Sequence, residues 1–352
     1  MAIKEVYHGK SFTELDDGLK YRLPDAVERF KTNHAEKILF YEITQYFFFT
    51  QYFELKTYAG TNGIKIIGDI PFYVQLESAD VWSNPDIFRL GRDMTPVAVA
   101  GVPPDIFSED GQLWGNPIYD WDFQKTNDYA WWRSRLIHNS KLYDVIRIDH
   151  FRAFADYYTI PYGSKTAKCG KWEKGVGMPF WNIMNKSVDA DIIAEDLGGN
   201  TPEVEKLIKE TGFPNMKVLQ FAFDSDLNNP FLPKNYDKNC VCYTGTHDND
   251  TILGWYYVMS EEDREFSKEY MGNAKSTDEE LPWDFIRMSM ESVANLAVTP
   301  MQEFLGLGTE ARINYPSTLG NNWKWRLLPG QFTPELAKRI HRLTQITARI
   351  AK

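Results

Sequence analysis

Cysteine is scarce in this 352-residue chain: there are three, Cys169, Cys240 and Cys242. An odd, sparse set makes no disulfide framework, and reduced thiols point to a cytoplasmic setting. Cys240 and Cys242 flank Val241 in an apolar run. Alternation on a strand turns both toward one face, which reads as packing rather than metal or redox chemistry. Positive charge is also short. Lys and Arg number 39 against 49 Asp and Glu, a net charge of −10, so there is no basic footprint for nucleic acid or anionic lipid. Long hydrophobic runs are missing. The most apolar segment, YFFFTQYF at 46–53, is followed by Glu54 and Lys56 and falls far short of the ~20 residues of a membrane span. The first residues lack the basic-then-apolar pattern of a secretory signal. No G-x-G-x-x-G occurs, and Gly163 to Gly170-Lys171 has the wrong spacing for a phosphate loop, with Trp172 where Ser or Thr belongs. Low-complexity tracts, short repeats and long Pro/Gly/Ser linkers are absent too.

What the chain does have is alternation. Short apolar, β-branched runs recur as IKIIGDIP (64–71), DVIRIDH (144–150), DIIAEDL (191–197), MKVLQFAF (216–223), CVCYTGTHD (240–248) and AVTPMQEFL (297–305). Helical patterns lie between them. Phe40, Ile43 and Phe47 predict a buried helix with a wide apolar face, closed by Asn62-Gly63. Residues 127–142 and 282–296 read as helices. Thr201-Pro202 and Thr333-Pro334 each pair an N-cap with proline at the first helical position. Strands alternating with helices predict an α/β fold built on a parallel sheet covered on both faces.

The strand ends carry the chemistry. Asp69, Asp149 with His150, Glu195 with Asp196, and His247 with Asp248 all close apolar runs. Active sites of (β/α)₈ barrels sit at the C-terminal ends of their strands. One acid there is as readily a helix cap or a salt-bridge partner; a series is harder to explain that way. Carboxyl groups without phosphate or metal motifs suit glycosidic bond cleavage, which uses one carboxylate and one carboxylic acid about 5 Å apart in retaining enzymes. Arg147 shares a strand face with Asp149 and would keep it ionised, as a nucleophile must be. The apolar run before Glu195 would raise its pKa, as a general acid requires. The imidazole of His247 could bind sugar hydroxyls.

RIDHFR (147–152), IIAEDLG (192–198) and THDND (246–250) resemble the three catalytic strand-end motifs of the 4-α-glucanotransferases, the amylomaltase branch of the α-amylase clan. IGDIPFYV (67–74), SADVW (78–82), VAGVPPDIFSEDGQLWGNP (99–117) and MKVLQFAFD (216–224) resemble other hallmarks of that branch. The resemblance runs from about residue 40 to the C-terminus. It implies a (β/α)₈ TIM-type barrel whose first two strands are not recognisable here. The implied layout is an atypical segment 1–39, then a catalytic barrel 40–352 with a lid loop at about 99–117. It makes Asp149 the nucleophile, Glu195 the general acid/base and Asp248 the transition-state stabiliser. Arg147, His247 and Asp69 would bind the sugar at the cleaved bond. Trp114 would stack on the acceptor side, and Asn322, beside Trp323, would line the groove; for each Trp, core packing is the competing reading. The implied substrates are α-1,4-glucans and maltooligosaccharides, with no cofactor and no metal. Asp224 to Asn228 begins like a Ca²⁺ loop but has Asn229 in place of the required Gly, and reads as a surface turn. A retaining α-glucan hydrolase and a non-catalytic glucan-binding protein are the competing functions.

Overall fold

The computed structural model describes residues 1–104, 108–198, 201–272, 277, 279–316 and 318–350. These residues form two compact units, Met1–Thr211 and Gly212–Lys352. Strands are numbered along the chain. The first unit holds β1 (Ile67–Pro71), β2 (Ala98–Val102), β3 (Gln112–Pro117), β4 (Val145–Asp149), β5 (Asp156–Pro161), β6 (Lys171–Lys174) and β7 (Asp191–Ala194). The second holds β8 (Asn215–Val218), β9 (Cys240–Tyr243) and β10 (Leu296–Val298). All six apolar runs form strands, and their pairing is parallel: β1 with β4 and β4 with β7 in one unit, β8 with β9 and β9 with β10 in the other.

The register sets up the site. Asp69 stands opposite Arg147, Pro71 opposite Asp149, and Arg147 opposite Ile193. Buried aromatic rings, including Phe72, Trp132, Phe154 and Phe180, pack within the first unit. In the second, Cys240 and Cys242 point into one core with Ile252 and Phe285, as their alternation predicts. The predicted helices form at Ala130–Leu142, Pro202–Thr211, Leu281–Glu291 and Pro334–Ile346, with Thr201 and Thr333 accepting the capping bonds. Asp224 to Asn228 is a turn in which Asp224 and Asp226 accept from the backbone N–H groups of Asp226 and Asn228.

Three expectations change. The helix Ala35–Thr61 forms, but it is not buried: Phe40, Tyr46, Phe47 and Phe48 are each more than half exposed. Its other side is held, by Tyr52 Oη donating to the Leu142 carbonyl and Phe49 edge-on to His138. A helix apolar on nearly all sides carries more hydrophobic surface than one neighbour covers. Second, the segment 99–117 is mostly strand. β2 and β3 pair antiparallel, β2 also pairs β5, and β5 pairs β6, giving a second, four-stranded sheet. Gly101 permits the closeness of β2 and β3, since a Cβ there would run into the Gln112 carbonyl. Residues 105–107, Ile106 among them, lie outside the described residues. Third, the boundary at residue 40 falls inside a helix, and residues 1–39 are part of the first unit. Lys4 and Ser11 both bond Glu77, Arg22 donates to the Trp82 carbonyl and Trp82 to that of Leu19. No described helix is long and apolar enough to cross a membrane.

Candidate active site

Parallel pairing of β1, β4 and β7 aligns their C-terminal ends. This brings together Asp69, Arg147, Asp149 and Glu195, four residues expected at the site. Arg147 Nη1 donates to Asp69 Oδ1 and Oδ2, both at 2.7 Å, and to Asp149 Oδ1 at 3.1 Å. The arginine side chain is 9% exposed, whereas those of Asp69 and Asp149 are 40% and 44% exposed. The cation is therefore sunk in the floor, with two carboxylates reaching into solvent above it. Burial works against its charge, but Asp69, Asp149 and Glu195 outweigh that and hold the guanidinium above its ordinary value. It stays charged and keeps a fixed positive centre beneath Asp149.

Glu195 sits one residue past β7, where strand-like pairing continues. Its N–H donates to the Ile148 carbonyl at 3.1 Å, and its own carbonyl accepts from the Phe151 N–H at 3.0 Å. Its carboxylate accepts from the His150 N–H at 2.6 Å and the Leu197 N–H at 2.8 Å. Burial, then the negative charge of Asp149, push its pKa up to about 7, against Arg147 and the two N–H donors. The apolar run before Glu195 predicts this direction, and the register supplies the like charge beside it.

Next to Asp149 lies a cavity of about 440 Å³ lined by Pro71, Tyr73, Trp114, Asn116, Asp149 and His150. Trp114, on β3, is half-buried and anchored by Nε1 donating to Gln112 Oε1 at 3.0 Å. Its ring meets His150 edge-on at 4.8 Å. An aromatic face beside a carboxylate can hold one face of a sugar ring while polar groups take its hydroxyls.

The second unit holds its own constellation after β9. His247 Nε2 lies 3.4 Å from Asp248 Oδ2. Asn314 Nδ2 donates to Asp248 Oδ1 at 2.6 Å, and Arg312 Nη2 to the Asp248 carbonyl at 2.7 Å. The Trp323 ring is 5.1 Å from His247 and half exposed. Asn322 differs: its side chain bonds Tyr315 and Thr318 and holds its own loop. Among the described residues, no group of three or more His, Cys, Asp or Glu is arranged to hold a metal ion.

Sequence reading missed the two main-chain N–H groups on Glu195, because backbone donors leave no residue signature. It also missed the Asn314 and Arg312 contacts to Asp248, some 65 residues away, which no local pattern connects.

The sequence profile of the 4-α-glucanotransferase family matches residues 1–331, so the segment 1–39, expected to be atypical, lies inside the family region. The 4-α-glucanotransferase of Clostridium butyricum is 50% identical over 353 residues, covering 99% of this chain and 72% of that protein. That of Thermus thermophilus is 44% identical over 356 residues, covering 99% and 71%. The structure of the Streptococcus agalactiae amylomaltase in complex with acarbose superimposes with a TM-score of 0.94 at 39% identity, over 99% of this chain and 70% of that one. These matches give the chain an α/β fold of TIM-barrel type, and it belongs to the 4-α-glucanotransferase family of α-glucan-transferring enzymes.

Proposed function

We propose that this chain transfers segments of α-1,4-glucan between maltooligosaccharides by a retaining, two-step route, with Asp149 as nucleophile and Glu195 as general acid/base. The observation that carries this reading is the contrast between the two carboxyl groups. Asp149 shares a buried arginine and is open to the cavity, whereas Glu195 is buried with its pKa raised to about 7. Environments that push two carboxyl groups apart are what acid and nucleophile roles require.

In the first step the Asp149 carboxylate attacks the anomeric carbon. The glycosidic C–O bond breaks, and the Glu195 proton goes to the leaving oxygen. The glycosyl ester on Asp149 is uncharged. The negative charge that helped raise the pKa of Glu195 is then gone, so Glu195 becomes a stronger acid and stays ionised. It is then ready for the second step. There it takes the proton of an acceptor 4-hydroxyl, the hydroxyl oxygen attacks the anomeric carbon, and the ester bond breaks. Asp248, oriented by Asn314, takes the role of transition-state stabiliser. Asp69, Arg147 and His247 bind the sugar at the cleaved bond, and Trp114 the acceptor side. The β2–β3 hairpin is our candidate for the element that keeps water out. The account requires no cofactor. The three cysteines form no disulfide with one another, which supports a reducing compartment, and we place the enzyme in the cytoplasm.

Trapping tests the route. Glu195→Gln incubated with α-maltosyl fluoride, whose leaving group needs little protonation, accumulates a glycosylated peptide containing Asp149, seen by mass spectrometry. An unlabelled Asp149 peptide during turnover of the fluoride defeats the covalent route. Glucose and maltose alone from maltotriose, without longer glucans, identify a hydrolase instead.

A further inference from the structure

The RIDHFR segment ends in a cation that the steps at the cleaved bond do not use. Arg152 lies on the 3₁₀ turn Phe151–Phe154 between β4 and β5, and it is buried. Its Nε and Nη2 donate to Asp156 Oδ1 at 3.2 and 2.6 Å, and its guanidinium carbon lies 4.4 Å from the centre of the Trp172 ring on β6. Closing the local turn would need no more than that pair. Both ions reach further, to the segment that follows Glu195. Arg152 Nη1 donates to the Gly198 carbonyl at 3.0 Å. Asp156 Oδ2 accepts from Thr201 Oγ1 at 2.9 Å, and Thr201 caps the helix Pro202–Thr211. A buried ion pair is costly unless further hydrogen bonds complete it, and here Gly198 and Thr201 are completing groups. Leu197, one residue before the held carbonyl, gives its N–H to Glu195 Oε1 at 2.8 Å.

We propose that Arg152, bridged through Asp156 to Thr201, is a positioning residue: by fixing Gly198 it holds the Leu197 N–H on Glu195 Oε1 and keeps that carboxyl group aimed at the bond it serves. This rests on the reading of Glu195 as acid/base. Donors to a carboxylate favour its ionised form, the form in which Glu195 takes the acceptor proton in the second step. The Leu197 N–H is one of two such donors that work against burial and the charge of Asp149, which together set Glu195 at about 7. Loosening the segment removes a donor, so the Glu195 pKa rises, and it frees the carboxyl group to swing. The charged groups around Glu195 are Asp149 and Arg147 on β4, Asp69 paired to Arg147 from β1, and the buried Asp196 beside it in the chain. A change at Arg152 or Thr201 leaves all four in the sequence. Lysine at 152 retains the positive charge but has no planar fork to hold Asp156 and the Gly198 carbonyl together.

The test uses the full chain labelled with ¹³C-glutamate, the Glu195 signal being identified by its loss in Glu195→Gln. Arg152→Lys and Thr201→Val are compared with two controls. Thr201→Ser keeps the hydroxyl that bonds Asp156, and Thr333→Ala removes an N-cap from a different helix. In Arg152→Lys and Thr201→Val the Glu195 titration midpoint is expected to move up from about 7, with the alkaline limb of kcat/KM for maltotriose moving alongside. The kcat falls about tenfold while KM stays within about twofold, as when an orienting contact is lost and substrate binding is kept. Thr201→Ser and Thr333→Ala keep the wild-type midpoint and kcat. A folded Arg152→Lys with both unchanged overturns the proposal, and so does Thr333→Ala moving them as far, since that is general loosening. If Arg152→Lys does not fold, Thr201→Val decides by the same two readings. A midpoint that moves in a protein making no glucan upholds the positioning and defeats the acid/base reading. A midpoint that stays put in variants of an active enzyme defeats the positioning alone.

Discussion

At the scale of single residues, the site works by setting unlike environments side by side. Asp149 is one of two acids on a buried guanidinium, and Glu195 is buried against that acid's charge. The coupling has a measurable sign. In Asp149→Asn the charge of Asp149 is gone, so the Glu195 pKa falls below its wild-type position of about 7. A ¹³C-glutamate titration reads this directly, and an unmoved Glu195 would mean that burial acts alone. Asn314 offers a second check. Its amide holds Asp248 Oδ1 at 2.6 Å. Asn314→Ala frees that carboxylate and is expected to lower kcat by roughly ten- to a hundredfold, the range seen when an orienting contact is lost. Steady-state rates with maltotriose measure it, and a variant of wild-type kcat removes Asn314 from the account.

Elements divide into those written locally and those fixed by distant partners. The six parallel strands were legible because each is a short apolar run, four of them ending in an acid or a His, and the Thr-Pro caps marked two helix starts. Thr333→Ala is accordingly expected to cost ~1 kcal/mol by denaturant unfolding, the usual value of an N-cap bond. β2, β3, β5 and β6 were not legible. Their residues, such as QLWGNP and KWEK, carry little alternation, and the sheet is assembled by pairing across up to about 60 positions. The helix Ala35–Thr61 shows the reverse failure. Its composition announces a helix, but a face apolar all round does not say which side is covered. The exposed side predicts self-association through Phe40, Phe47 and Phe48. Phe47→Lys with Phe48→Glu should lower the concentration-dependent mass in sedimentation velocity while leaving stability within ~0.5 kcal/mol, as for surface changes. Association unaltered by the pair would place the contact elsewhere.

For the whole molecule, two buried glutamates set the response to pH. Besides Glu195, Glu303 is 1% exposed, and both of its oxygens accept from the Ile252 N–H. Burial pushes its pKa up to about 8 from 4.5, with the charge of Asp250 adding to the rise. A carboxyl group with a raised folded-state pKa leaves stability intact below 4.5 and removes it progressively as pH climbs to about 8, because the unfolded chain ionises first. At about 1.4 kcal/mol per pKa unit the loss reaches up to ~5 kcal/mol. Glu303→Gln should flatten the fall in stability between pH 5 and 8.5 in urea titrations, and an equal fall in the variant would assign the effect to other groups. The same pH window governs activity. The central claim is that Glu195 is the proton donor, held protonated near neutrality. The most direct test is the pH dependence of kcat/KM for maltotriose disproportionation, run beside Glu195→Gln. The account predicts an alkaline limb with a midpoint of about 7 in the wild type and no glucan ladder from the variant. A profile flat to pH 9, or a ladder made by Glu195→Gln, would contradict it.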